Sequence, residues 1–479
     1  MLAAQPLPPA PKAHLTDVTP KPGFFNEPAI AVNPKNPRQA VAAWQVNVSA
    51  AYSQDGGETW KVAEGTAPKD YRVSGDVSLA YDAAGHAILC YIAFDKLGSM
   101  NYWARGATRN GIFIRRSLDG GQTWEPEAIP VIAHDSTPGI PFEDKPWVVV
   151  DTSSPHAGNL YVGWTQFTLA ASDLIFSRST DGGKTWSRPI KLSSVSGLPR
   201  DDNGALEGFH GVVGPDGTLY TIWDGPDGIM MAVSHDGGAT FSKERRIIAA
   251  GPGYFGIEGV QRSNGFPQIG LDPRSGIDNK NDPHSGIGNK NDPRSGIGDK
   301  NDPQRATGNI SDPRPVSDKN SQRSMQAGGI LYVAWSDYSN GDVDVFVASS
   351  ADHGQSWSKP VRVNNDPIHN GNDQFFQWMA VDPASGAVNL VFYDRRTDNR
   401  QTTVTLARST DGAKTFQNYS WDVEAFEADG DFLGDYLAIT AFGNKVFGAW
   451  AHQTAEEAKV EHGKRTRTKL RVGSADFNP

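Results

Sequence analysis

The sequence predicts an all-β fold, a seven-bladed β-propeller with six blades as the alternative count. Three observations predict it: a turn motif repeated six times, an inner-strand pattern repeated seven times, and a composition suited to short strands and tight turns. The motif reads SQDGGETW at 53–60, SLDGGQTW at 117–124, STDGGKTW at 179–186, SHDGGATF at 234–241, SADHGQSW at 350–357 and STDGAKTF at 409–416. Its logic is local. The Asp carboxylate accepts turn N–H groups, Gly permits positive φ, and the terminal Trp or Phe packs between neighbouring sheets. The last copy has Ala413 where the others favour Gly, so a strained or reshaped turn is expected there.

The copies are near-evenly spaced, except that the interval from Asp236 to Asp352 is roughly double the others. Inside it, residues 274–326 form a low-complexity stretch in which Asp-Pro recurs at Asp272, Asp282, Asp292, Asp302 and Asp312. Removing that stretch restores an ordinary blade, so the segment is read as a solvated loop inserted in one turn.

The inner strand of each blade begins NEPAIAV at 26, GDVSLAY at 75, DKPWVVV at 144, GFHGVVG at 208, GFPQIGL at 265, QFFQWMAV at 374 and GDYLAIT at 434. The second strand is a near-repeat of β-branched and aromatic residues, as in NLYVGW, TLYTIW and ILYVAW, the pattern of a buried strand. The seventh blade lacks an outer strand at the C-terminus. The segment HLTDV at 14–18 is placed to supply it and to remove the open edge.

The chain has 479 residues, including 51 Gly, 32 Pro, 13 Trp, 21 Phe and 13 Tyr, which suits strands and turns and disfavours long helices. A net charge of -10 argues against nucleic acid or an anionic membrane as partner, since both need a concentrated basic face. No apolar run is long enough to span a bilayer. Cys90 is the single cysteine, which excludes an internal disulfide and a cysteine-rich metal site. The Ala/Pro-rich start, residues 1–12, reads as a leader remnant ahead of one propeller domain over 13–479, and points to a secreted or periplasmic monomer. No metal or cofactor is expected. The insertion's Asp and Asn could hold calcium only loosely, without the ordered spacing of an EF-hand.

The repeated turns define one face, and a ligand site belongs on the other, where first strands begin and second strands end. Converging there are Glu27, Asp76, Asp144, Lys145, His210, Gln374, Asp435 and Tyr436 from first strands, with Tyr393, Arg395 and Arg396 from a second-strand end. Carboxylates beside a guanidinium and aromatic rings suit sugar binding and glycosidic-bond chemistry. The candidate catalytic residues are Glu27, Asp144, His210, Tyr393 and Arg395. Asp76, Lys145, Gln374, Arg396, Asp435 and Tyr436 are the candidate substrate-binding residues. Each also has a plainer reading: Glu27 as a strand-start acceptor, Asp144 as a partner of Lys145, and His210 as a satisfied core residue.

The six S-x-D-x-G-x-T-W strings resemble Asp boxes, and through them nearly the whole chain resembles the sialidase superfamily. That resemblance implies six blades, an arginine triad for a substrate carboxylate, a Tyr nucleophile activated by Glu, and an Asp acid/base. The first arginine of the triad lies in a Phe/Tyr-Arg-Ile-Pro motif, but the matching segment here is Phe25-Asn26-Glu27-Pro28, with Asn26 in the arginine's place. Seven-bladed propellers of similar appearance include polysaccharide lyases, in which Arg neutralises a uronate while His or Tyr removes a proton. The expected function is therefore cleavage of glycosidic bonds in an acidic or decorated glycan, as a glycoside hydrolase or a uronic-acid lyase. The competing expectation is a non-catalytic propeller that binds glycan or protein.

Overall fold

The computed structural model describes residues 6–479 except 97–108, 136–140, 277–328 and positions 46, 64, 67–68, 70, 153, 203, 251–252, 429, 431 and 461–462. Seven four-stranded antiparallel sheets follow one another around an axis. Their inner strands are Asn26–Val32, Val73–Tyr81, Phe142–Val150, Glu207–Val213, Gln268–Asp272, Gln374–Val381 and Ala438–Phe442.

Two inner strands start later than the sequence suggests. In blade five, Gly265 donates its N–H to Gly253 O at 2.6 Å, closing a hairpin of Tyr254–Phe255 and Ser263–Asn264 outside the blades. In blade seven, Gly434 has φ 94, and a Cβ there would lie 2.9 Å from the Glu27 backbone nitrogen. Only glycine fits so close an approach.

The ring closes as expected. His14–Asp17 pairs antiparallel with Gly463–Asp476 as the outer strand of blade seven, with Leu15 opposite Gly473. Asp17 clamps it, accepting from Arg471 Nε at 2.7 Å and Lys469 Nζ at 3.1 Å. Just upstream, Ser420 N–H donates to Pro8 O and Ala10 N–H to Ser420 O, so residues 8–10 dock on the outer strand of blade six.

Each repeated turn is built alike. In the third copy Ser179 Oγ donates to Asp181 at 2.7 Å, Gly183 N–H donates to Ser179 Oγ, and Thr185 gives Asp181 both its N–H and its hydroxyl. Ala413 adopts φ 61 and the sixth turn keeps the same bonds, so the substitution strains the backbone without reshaping it. Side chains also hook the next blade's turn: Gln54 reaches Gly120 O, Arg116 reaches Gly182 O, Arg178 reaches Gly237 O and Arg245 reaches Gly354 O. Between the sheets, Trp44, Trp164, Trp223, Trp335 and Trp450 at second-strand ends are fully buried. Truncating any of them to Ala would cost ~3–5 kcal/mol.

The 274–326 stretch leaves blade five between its first and second strands, through a 3-10 turn at Pro273–Gly276. Residues 277–328, and with them the calcium expectation, lie outside the described residues.

Candidate active site on the propeller axis

One backbone irregularity, repeated around the ring, builds the site. The inner strand slips register against its neighbour between Asn26 and Ala29, Gly75 and Ser78, Asp144 and Trp147, Glu207 and His210, and Phe375 and Trp378. At each slip sits a left-handed residue: Glu27 (φ 49), Asp76 (φ 47), Lys145 (φ 50), Gly208 (φ 70) and Phe376 (φ 54). Gly434 occupies the equivalent place ahead of the seventh strand. Such bulges re-aim side chains, and non-glycine residues held left-handed store about 1–3 kcal/mol of strain each, a feature that clusters at functional sites.

Two residues beyond four of these positions, Lys145, Gly208, Phe376 and Gly434, rings meet on the axis. The Trp147 centroid lies 4.7 Å from His210 and 5.2 Å from Trp378, and Trp378 lies 5.4 Å from Tyr436. This plug divides the axis. On the repeated-turn side is an apolar cavity of about 330 Å³ lined by residues such as Ala31, Leu79 and Met379. On the other side the side chains are almost all ionisable.

Lys145 stands at the centre of that polar side. Its Nζ is 3.4 Å from the Tyr436 ring centroid and within 5.7 Å of Trp147, Phe266 and Trp378. Burial pulls its pKa down against the opposing charges of Asp76, Glu27, Asp435 and Glu207. Its own N–H donates to Asp76 Oδ2 at 3.2 Å and Asp144 Oδ1 at 3.0 Å. Burial, then Asp76 through charge and a side-chain hydrogen bond, raises the pKa of both Glu27 and Asp144 well above the carboxylate range. Asp76 thus bears on both Glu27 and Asp144, and with burial it favours the protonated form of each.

A second group covers the first. Arg262, from the hairpin between blades four and five, ion-pairs with Asp201 and with Asp435, its Nε 2.8 Å from Asp435 Oδ1. Burial works against its charge, and Asp435 and Asp201 more than restore it. The Tyr254 hydroxyl lies 2.6 Å from Glu207 Oε2 and 3.0 Å from Asp201 Oδ1. It has one proton for two acceptors, and burial, then Asp201, pushes the Glu207 carboxyl well above its usual range. The hairpin tip is pinned from outside: Arg395 Nη1 donates to Glu258 O at 2.8 Å, and Gly430 N–H to Gly259 O at 2.7 Å.

Of the residues expected at a site, the structure brings together Glu27, Asp76, Asp144, Lys145, His210, Asp435 and Tyr436. It places four elsewhere. Tyr393 is buried with its hydroxyl donated to Ala451 O, and Arg395 holds Thr402, Asn399 and the hairpin tip. Arg396 pairs with Asp394 and donates to Asn365, while Gln374 joins Asn364, Asn372 and Asp394. Asp201, Tyr254 and Arg262 escaped the sequence reading because they lie on connections between blades, outside the repeat. Trp147 and Trp378 were visible in principle as tryptophans near the start of two inner strands, but only the left-handed residues two positions earlier, Lys145 and Phe376, bring them into register.

His210 presents an unpartnered Nδ1 between tryptophans, and burial, then Lys145, lowers its pKa to about 3, so it is neutral at ordinary pH. Among the described residues no set of His, Cys, Asp and Glu side chains is arranged to hold a metal ion, and no helix is long and apolar enough to cross a membrane.

Fold and turns define an Asp-box β-propeller. The family model of the BNR/Asp-box repeat matches residues 51–62 and 177–188. A sialidase of Bacteroides fragilis (strain YCH46) is 31% identical over 98 residues, which is 17% of this chain and 18% of that protein. Similar solved structures include the Hadza microbial sialidase Hz136, with TM-score 0.45 and 15% identity over 92% of this chain and 73% of that one. The intramolecular trans-sialidase from Ruminococcus gnavus has TM-score 0.42 and 12% identity over 95% of both chains. An α-L-arabinofuranosidase from Fusarium graminearum has TM-score 0.42 and 12% identity over 80% of this chain and 92% of that one.

Proposed function

We propose that the protein is a carbohydrate-active enzyme that hydrolyses a glycosidic bond at the axial carboxyl cluster. The observation that carries this reading is the placement of the half-buried Asp76 against both Glu27 and Asp144, which are buried. Glycoside hydrolysis needs a carboxylic acid that keeps its proton at neutral pH beside a carboxylate that has lost one. Glu27 and Asp144 suit the first role, since burial and the neighbouring carboxylate hold their protons on. Asp76 suits the second, as base or nucleophile. The Tyr436 hydroxyl, pushed up by burial and by Glu27, stays protonated and serves as a donor to the sugar.

Elimination from a uronate has less support. Tyr393 and Arg395, the residues expected to remove the proton and neutralise the carboxylate, are engaged elsewhere and do not meet His210. A location outside the cytoplasm, where such glycans occur, belongs to the same proposal.

The test is incubation of the purified chain with aryl glycosides and glycans, following reducing ends and the absorbance of unsaturated product, beside Asp76→Asn. Reducing ends without unsaturation, lost by about 10³-fold in the variant, support hydrolysis. Unsaturated product would mean a lyase, and silence across the panel a binding module.

A further inference from the structure

We propose that the axial site takes glycosides without negative charge, neutral or amino sugars, and rejects those bearing a carboxylate such as sialosides and uronides. This rests on the reading above and adds the substrate class. Six carboxyl groups converge on the site: Glu27, Asp76, Asp144, Asp201, Glu207 and Asp435. Two cations face them, and both are engaged. Arg262 gives Nε and Nη2 to Asp435 and Nη1 to Asp201. Lys145 sits within a cage of four rings and interacts with the charges of Asp76, Glu27, Asp435 and Glu207.

A sugar carboxylate needs a guanidinium fork or several free donors. Here it would meet carboxyl oxygens and two cations that are already engaged, in a poorly solvated space where an added, unpaired negative charge weakens binding by on the order of 100-fold or more. Neutral and amino sugars meet the opposite situation. No N–H or O–H of the described residues reaches Glu27 Oε2, and the Tyr436 hydroxyl has no partner, although both side chains are almost wholly buried. Burial without a partner is costly, and a sugar hydroxyl or ammonium would relieve both. The site's own contents show what it accommodates: an ammonium in the aromatic cage and a guanidinium between Asp201 and Asp435. An amino group on the substrate would offer these carboxyls the same kind of partner.

The experiment is a glycan array probed with the labelled full chain at low and moderate salt, with turnover of aryl glycosides measured in parallel. The aryl set holds amino, neutral, uronic and sialic members. Binding confined to neutral and amino glycans, and at least about 10-fold stronger than to matched acidic ones, is the expected result. Asp435→Asn should narrow that gap. Arg262→Met, on the partly exposed hairpin, should widen it and serves if Asp435→Asn does not fold. A sialoside or uronide bound or cleaved as well as its neutral counterpart overturns the inference while leaving hydrolysis standing. Neutral glycans bound but never cleaved would do the reverse. No binding to any glycan overturns both.

Discussion

Lys145 of blade three and Tyr436 of blade seven meet across the axis, the ammonium 3.4 Å from the centre of the ring. The contact places a cation where Glu27, Asp76 and Asp435 would otherwise face one another unscreened. It joins the aromatic plug to the carboxyl cluster, and what happens on one side is felt on the other.

Replacing Lys145 with Met keeps the volume and removes the charge. Without it, ionising the cluster becomes harder, so Glu27 and Asp144 hold their protons to still higher pH. The alkaline limb of the pH profile of kcat/KM, where the acid loses its proton, should move up by about one unit, with kcat reduced. An unchanged limb would show that Lys145 does not act on the titrating groups.

His210 should make the protein acid-sensitive. Its folded pKa of about 3 lies below the 6.5 of an exposed imidazole. Its contribution is therefore fully present above pH 6.5 and lost as pH falls toward 3. By pH 4 the loss is about 3 kcal/mol. His210→Phe keeps a ring between Trp147 and Trp378 but cannot titrate. Urea unfolding at pH 7 and pH 4 should show the variant losing less stability than the parent.

Arg395→Ala should act through the hairpin. Losing the bond to Glu258 O frees the tip that carries Tyr254 and Arg262 over the site. Hydrogen exchange over residues 254–264 should rise several-fold, with KM changing more than kcat. A kcat collapse with unchanged exchange would instead mean that Arg395 touches substrate.

The repeated turns should matter for stability and not for chemistry. The Thr185 hydroxyl and amide, with the Ser179 hydroxyl, hold the Asp181 carboxylate well below its usual range. Asp181→Ala should cost about 1–2 kcal/mol. The Tm should fall by a few degrees at neutral pH while kcat/KM stays within two-fold. The difference should shrink as pH falls below about 4, the unfolded-state value, and on down through the much lower folded-state value.

Removing residues 1–17 should expose the edge of Gly463–Asp476 and strip Arg471 of Asp17. Aggregation on purification, seen by light scattering, is the expected outcome. A monomer with unchanged Tm would show that the ring closes without this strand.

The sequence alone determined the seven blades, the site of the insertion and the closure by His14–Asp17. Each is written locally: an Asp, a Gly and an aromatic at fixed offsets make the same turn wherever they recur, and one missing strand leaves one edge to cover. The same frame carried Glu27, Asp76, Asp144, Lys145, Asp435 and Tyr436 to the axis, because they hold matching positions in the repeat. Tertiary structure alone decided that Arg262, Tyr254 and Asp201 join them, since those residues lie on connections with no period. It decided as well that Arg395 and Tyr393 turn away into packing. A repeat specifies where each blade points its inner strand, whereas the path of a connection and the burial of a charge depend on what neighbouring blades offer once the ring has closed.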